Sequence, residues 1–390
     1  VPIKESAPQL NRPEDPVRAG GARDEDTTIE DPVESDLPGQ VQRTLTEHLE
    51  SRLAECAELD GGFATAVQEL SRFVLGGGKR IRPTFAWWGW RAAGGDATGP
   101  AAEAMLRAAS SLELIQACAL VHDDLIDESD TRRGHPTVHR KFARTHYEER
   151  WAGGAAQFGM SAAVLLGDLA LAWADDMLHT AGLEPAALGR GLRPWRAMRT
   201  EMLAGQYLDV FSQVRGDETP EAALRVAELK SASYTIARPL QLGAEIAGAD
   251  QRTLAALESF GHDIGVAFQL RDDLLGVFGD PAVTGKPAGD DLREGKRTLL
   301  IAEAVRAARA QGDDHAVAEL RAVLGDPDVS AERIESARAQ LVRLGAQQAV
   351  EERIAELTRG AHRTLEAAGF AEPAATRLGE LAVAVTDRTR

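Results

Sequence analysis

Two aspartate clusters carry the residues whose types and spacing point most directly to chemistry: Asp123, Asp124 and Asp127 in DDLID, and Asp272 and Asp273 in RDD. Asp123 and Asp127 lie four positions apart, so on an α-helix both carboxylates fall on one face with Asp124 beside them. Like charges at that spacing repel, and the run before them, LELIQACALVH, is apolar enough to belong in a core. A hard divalent cation with oxygen ligands is the natural compensation. Magnesium fits best, because it takes one or two protein carboxylates and completes its shell with waters and substrate phosphate oxygens. A solvated acidic helix face would show the same short string, so the neighbouring residues decide. In DESDTRRGHPT, Arg132 and Arg133 follow within a turn or two, and adjacent guanidinium groups are suited to holding two different phosphates.

Other segments supply matching parts. GGGKRIRP at 76–83 joins glycines, which let a backbone approach a ligand closely, to Lys79, Arg80 and Arg82, a candidate anion pocket. The second acidic region continues past Asp273 into a loop with Asp280, Lys286, Asp290, Asp291, Lys296 and Arg297, a mixture of metal ligands and phosphate partners. Gln269 precedes Asp273 by about one helical turn and looks into the same cavity. Between the clusters, GQYLD sets Gln206 and Asp209 three apart, and Lys230 and Ser231 sit in an otherwise apolar helix. Each of these smaller signals also fits a solvated surface when taken alone.

These residues must be positioned by helices. From about Val41 the chain is rich in Ala, Leu, Glu and Arg, with apolar residues recurring at three and four and almost no alternating β-branched run. The pattern predicts an all-α bundle with helices at 41–58, 62–75, 82–94, 99–126, 136–148, 155–180, 188–213, 220–246, 250–278, 296–310, 313–324, 330–345, 347–368 and 372–388. Residues 1–38 are proline-rich and acidic and are expected to be a disordered tail preceding a domain over 39–390. The apolar stretch at 159–178 is interrupted by Asp168, Asp175 and Asp176, so it reads as a buried helix and not a membrane span. The polar N-terminus predicts no signal peptide, and two cysteines are too few for a disulfide framework, so a cytoplasmic protein is expected. A net charge of −17 argues against nucleic acid as a partner.

Taken together and in order, GGGKRIRP, DDLID followed by TRRG, GQYLD, KSASY, FQLRDD and GDPAVTGK resemble the trans-type polyprenyl diphosphate synthases, the family of farnesyl and geranylgeranyl diphosphate synthases. The resemblance runs from about residue 41 to the C-terminus. It implies an isoprenoid-synthase-type helical bundle around a central apolar cavity, a homodimer, and a site using three magnesium ions. It implies that Asp123 and Asp127 bind magnesium, with Asp124 in support and Asp272, beside Asp273, on the opposite helix. Lys79, Arg82, Gln116 and Arg133 match positions that bind isopentenyl diphosphate. Arg132, Lys230 and Lys286 match those that grip the allylic diphosphate (dimethylallyl, geranyl or farnesyl), and Ser231 and Gln269 match polar groups near the ionising carbon. The chain departs from the family where the second motif, usually DDxxD, ends in Gly276.

The implied reaction is head-to-tail prenyl transfer. An allylic diphosphate ionises, isopentenyl diphosphate attacks the carbocation, and a proton is lost. Other readings are a class I terpene cyclase and a non-catalytic regulatory subunit. An aromatic content of 5% and the extra GGGKRIRP site speak against the first, and intact DDLID against the second. Product length is read from α-helical depth below Asp123. Ala119 and Cys118 lie four and five residues earlier, one turn deeper, and both are small. Ile115 and Leu112 below them form a floor, which predicts a twenty-carbon product over farnesyl or longer chains.

Overall fold

The structure, a computed structural model, describes residues 32–280 and 289–387. Lys286 and most of the expected tail therefore lie outside the described residues. The chain is helical almost throughout: α1 Pro32–Ser35, α2 Leu37–Leu59, α3 Gly61–Leu75, α4 Ile81–Ala92, α5 Gly99–Ser110 and α6 Leu112–Ile126. A two-residue hairpin, β1 Thr131–Arg132 and β2 His135–Pro136, follows. Then come α7 Val138–Glu148, α8 Ala155–His179, α9 Pro185–Arg215, α10 Pro220–Ala227, a π-helical turn over Glu228–Ala237, α11 Arg238–Ala247 and α12 Gln251–Phe278. After the undescribed segment stand α13 Asp290–Arg293, α14 Leu299–Ala310, α15 Asp314–Arg321, α16 Ala331–Arg343, α17 Ala346–Ala368 and α18 Ala374–Thr386.

Local chemistry sets the boundaries. The Asp60 and Asp250 carboxylates cap α3 and α12, accepting from Phe63 N at 2.8 Å and Thr253 N at 2.7 Å. The helix expected over 99–126 is broken at Ser111, whose buried hydroxyl donates to Ala108 O at 2.6 Å and competes with the helical ladder. Likewise the helix expected over 220–246 is interrupted by the π turn, which apolar periodicity does not reveal. π turns inside helices concentrate at functional sites, and this one holds Lys230 and Ser231.

Two apolar clusters support the bundle. One joins α2 to α9 with α11 and the first half of α12, around Trp87, Trp195, Phe85 and Phe260. The other is built by the second half of α12 with α14 to α17. Arg271, next to Asp272, points away from the carboxylates. It forms a forked pair with Glu351 at 2.6 and 2.7 Å and donates to Thr386 O at 2.9 Å, tying α12 to α17 and α18.

Two expectations change. The domain begins before residue 39, because Leu37 is 4% exposed and Glu34 pairs with Arg91 at 2.6 Å, docking α1 and the start of α2 on α4. The 159–178 stretch is not a buried helix: only 28% of the apolar window of α8 is buried, against 72% for the window spanning α5 and α6. Leu165, Met160 and Phe158 stand exposed on α8.

Candidate active site

The first cluster sits where α6 runs out. Asp123 lies on the last turn and Asp127 caps the helix, its N–H donating to Asp123 O at 2.8 Å, so the two side chains do share a face. Asp124 points inward and is 1% exposed. The hairpin then folds the chain back over the helix. Arg133 and Gly134 form its turn with φ of 53° and 76°, a left-handed pair that sends the adjacent arginines in different directions. Arg132 Nε donates to Asp124 Oδ1 at 2.7 Å, and its Nη2 lies 3.5 Å from Asp123 Oδ2. Arg133 Nη1 reaches the glycine loop, donating to Gly77 O at 2.6 Å.

Lysines stand among the carboxylates. Gly205 lets α9 press against the backbone of Lys230, since a Cβ there would overlap Lys230 N, and that closeness aligns Asp209 with the lysine. Lys230 Nζ lies 2.6 Å from Asp209 Oδ2 and 3.0 Å from Asp123 Oδ1. Lys296 Nζ stands between the first cluster and α13, 3.7 Å from Asp127 Oδ2 and 3.3 Å from Asp291 Oδ1, and it also pairs with Glu294. Burial alone would raise the Asp123 carboxyl, but Lys230, Lys296 and Arg132 outweigh it and hold it at about 2. Burial and then the Asp123 charge push Asp127 up to about 6. Burial works against the charge on Lys230 as well, yet Asp123 and Asp209 raise its pKa above the usual lysine range.

On α12, Asp272 is exposed and Asp273 is buried. Gln269 Nε2 donates to Asp273 Oδ1 at 2.7 Å, as their spacing predicts. Burial and the neighbouring Asp291 push Asp273 up to about 8. Ser231 sits half-buried next to Lys230 on the π turn.

The GGGKRIRP segment divides. Arg80 is structural: it is 4% exposed, pairs with Glu113 at 2.6 Å and donates to Val74 O at 2.9 Å, so it leaves the expected anion pocket. Lys79 is exposed. Arg82 Nη2 donates to Thr235 Oγ1 at 2.7 Å and lies over the Tyr234 ring at 4.3 Å. The Tyr234 hydroxyl in turn donates to Gln116 Oε1 at 2.8 Å, which brings Arg82 and Gln116 together. Burial and the surrounding Arg132, Arg80 and Arg82 charges lower the Arg133 pKa, the electrostatic mark of a pocket suited to an anion.

Along α6, Gln116, Ala119, Leu120 and Asp123 form a half-exposed stripe, whereas Leu112, Ile115 and Cys118 are buried. Cys118 Sγ lies 3.8 Å from His122 Nδ1, and His122 Nε2 meets Val164 O at 3.2 Å, so Cys118 stands on the side facing α8. Asp209, Tyr234, Asp291 and Lys296 also stand in contact with these residues. Their motifs are visible in the sequence, but their pairings across elements are not.

Oxygen-only donors and a surplus of carboxylates fit magnesium. Among the described residues no three acidic or imidazole groups converge closely enough to hold an ion by themselves, since Lys230 and Lys296 stand between them. That arrangement suits a metal sharing its shell with substrate phosphate. Two surface clefts, one beside His48 and Arg107 and one beside Glu201 and Arg238, contain none of these aspartates.

A family profile described as polyprenyl synthetase matches residues 64–341. The chain is 34% identical to a geranylgeranyl diphosphate synthase of Mycobacterium tuberculosis, over 81% of this chain and 83% of that one. It is 31% identical to a geranylfarnesyl diphosphate synthase of Natronomonas pharaonis, over 70% and 80% of the two chains. Its structure superposes with a TM-score of 0.87 on a geranylgeranyl pyrophosphate synthase from Corynebacterium glutamicum, crystallised with isoprenyl diphosphate and magnesium, at 47% identity over 90% of this chain and 99% of that one. An all-α bundle with a carboxylate cluster on each of two helices fits a prenyl-elongating enzyme, and the chain belongs to the polyprenyl synthetase family. It is a polyprenyl diphosphate synthase.

Proposed function

We propose that this enzyme condenses isopentenyl diphosphate with dimethylallyl, geranyl and farnesyl diphosphates and releases mainly geranylgeranyl diphosphate. The observation that carries the reading is Lys296 set between Asp127 of the first cluster and Asp291, which neighbours Asp273 of the second, with Lys230 held against Asp123. Asp123 and Asp127 would hold magnesium from α6, and Asp272 with Asp273 from α12, up to the three ions that the resemblance implies. When bound, magnesium supplies Lewis-acid stabilisation of the charge growing on the departing diphosphate.

The chain's own residues do the rest. Lys230 and Arg132 place fixed positive charge at Asp123 and Asp124, where the allylic diphosphate is gripped. Asp124, whose Oδ1 accepts from Arg132 Nε at 2.7 Å, acts by holding that arginine in place. Lys286 completes the grip. Ser231 and Gln269 present polar atoms toward the ionising carbon. Lys79, Arg82, Gln116 and Arg133 bind isopentenyl diphosphate at a second pocket, so that its double bond meets the cation inside the helical bundle, away from water. The released diphosphate takes the final proton.

The product length rests on α6. Ala119 lies on the stripe that leads down from Asp123 and is too small to stop the chain, while Ile115 and Leu112 close the level below. The exposed apolar side of α8 supports a homodimer, and the enzyme is read as cytoplasmic. Asp123→Ala and Asp127→Ala are each expected to abolish turnover while leaving the thermal midpoint within a few degrees. Activity above about a tenth of wild type at saturating magnesium would contradict the metal assignment. Arg133→Ala should raise KM for isopentenyl diphosphate, and Lys230→Ala should act on the allylic substrate and on kcat. Equal effects on both substrates would show the pockets to be wrongly divided.

A further inference from the structure

Gly276 occupies the place where the second aspartate motif of the family usually has its third carboxylate. Its backbone is ordinary right-handed helix within α12, so nothing in its conformation requires glycine. A glycine inside a helix costs stability relative to alanine. Space explains it. A Cβ built on Gly276 would overlap the Asp291 carboxylate, which lies directly on the bare face of the helix.

Asp291 comes from α13, on the far side of the undescribed residues, and is 9% exposed. Its main-chain oxygen accepts from Lys296 N at 3.0 Å, and its Oδ1 lies 3.3 Å from Lys296 Nζ. Lys296 continues the line to Asp127, 3.7 Å away on the other cluster. A connected row therefore runs from the backbone of α12 through Asp291 and Lys296 to the first aspartate cluster, and its first step depends on the missing side chain.

We propose that Gly276 is a positioning residue that seats Asp291, so that a carboxylate from α13 takes over the third place of the second aspartate cluster. The helix surrenders its own third aspartate, and α13 is thereby held to the metal face. Restoring the usual motif with Gly276→Asp would then damage the site, because the new side chain would claim the volume of Asp291 and bring a further negative charge beside Asp273. This inference rests on the proposed magnesium and diphosphate chemistry, and its test keeps the two apart.

Thermal unfolding is measured for wild type, Gly276→Ala, Gly276→Asp, Asp291→Ala and the double variant Gly276→Ala/Asp291→Ala, in EDTA and then with magnesium plus inorganic pyrophosphate. In EDTA, Gly276→Ala should lower the midpoint, although alanine at an unobstructed helical position raises it. In the Asp291→Ala background the same substitution should raise the midpoint, because the obstruction is gone. With pyrophosphate, Gly276→Ala should need about tenfold more magnesium for half of the stabilising shift, and Gly276→Asp should need no less. A higher midpoint for Gly276→Ala with Asp291 present overturns the seating. An unchanged magnesium requirement overturns its role at the metal face. A wild-type protein that shows no magnesium-dependent shift at all overturns the metal reading instead, and the EDTA comparison still decides whether Gly276 seats Asp291.

Discussion

Replacing Arg80 with alanine removes one half of an ion pair that the fold has taken almost entirely out of water. Arg80 and Glu113 are 4% and 7% exposed and 2.6 Å apart, and Arg80 also donates to Val74 O at 2.9 Å. Removing one partner of such a pair leaves an uncompensated buried charge and costs about 3–5 kcal/mol. At about 2–4 °C per kcal/mol for a domain somewhat smaller than this one, the midpoint should fall by about 6–20 °C, toward the lower end here. The assay is thermal unfolding beside steady-state kinetics with isopentenyl diphosphate varied, at a temperature where both proteins are folded. KM should stay within about twofold of wild type, a change worth under 1 kcal/mol. Arg80→Met/Glu113→Leu, which removes both charges and keeps the volume, should recover most of the loss. A midpoint lowered by less than about 2 °C, or a defect confined to KM, would return Arg80 to the anion pocket and refute the structural role.

Removing residues 1–31 should leave the melting temperature and turnover unchanged. Extending the deletion through residue 38 removes Glu34 and the buried Leu37 and should cost about 2–4 kcal/mol, measured by urea unfolding; equal stability of the two truncations would show that α1 does not dock. The raised carboxyls set a pH dependence. Asp273, at about 8, favours the folded state while protonated, so its contribution is fully present below the ordinary carboxylate range and is lost as pH rises through about 8; Asp127 does the same through about 6. The metal-free midpoint should therefore fall between pH 6 and pH 8, and magnesium, which must displace those protons, should bind more tightly over the same interval. A magnesium affinity that is flat or declining with pH would contradict this. Ala119→Phe should shorten the main product to farnesyl diphosphate, read by chromatography of the dephosphorylated alcohols, and an active variant with an unaltered profile would remove Ala119 from the tunnel.

The fold was legible because nearly every element is an amphipathic helix whose period and caps are written locally. Asp60 and Asp250 then cap two of those helices, fixing their first residues. Ser111 and the π turn at Glu228–Ala237 were not legible, since each depends on where a backbone hydrogen bond goes and not on which faces are apolar. The site shows the same division. Asp123, Asp127, Gln269 and Asp273 share faces that follow from helical spacing, and the structure keeps them there. Arg80 and Arg82 are two residues apart in one basic run, yet one is buried against Glu113 and the other reaches Tyr234 and Thr235. Charge composition cannot separate them, because the partner that decides each role lies on another helix. Asp291 and Lys296 were visible only as loop charges, and the bare face of Gly276 that organises them has no sequence signal beyond the departure itself.

The central claim is tested most directly by incubating the purified enzyme with magnesium, isopentenyl diphosphate and farnesyl diphosphate and resolving the products by chain length. The account predicts magnesium-dependent release of pyrophosphate together with geranylgeranyl diphosphate as the main product, both lost in EDTA. A cyclic hydrocarbon formed without consumption of isopentenyl diphosphate, or main products that stop at fifteen carbons or run well beyond twenty when each allylic primer is supplied, would contradict it.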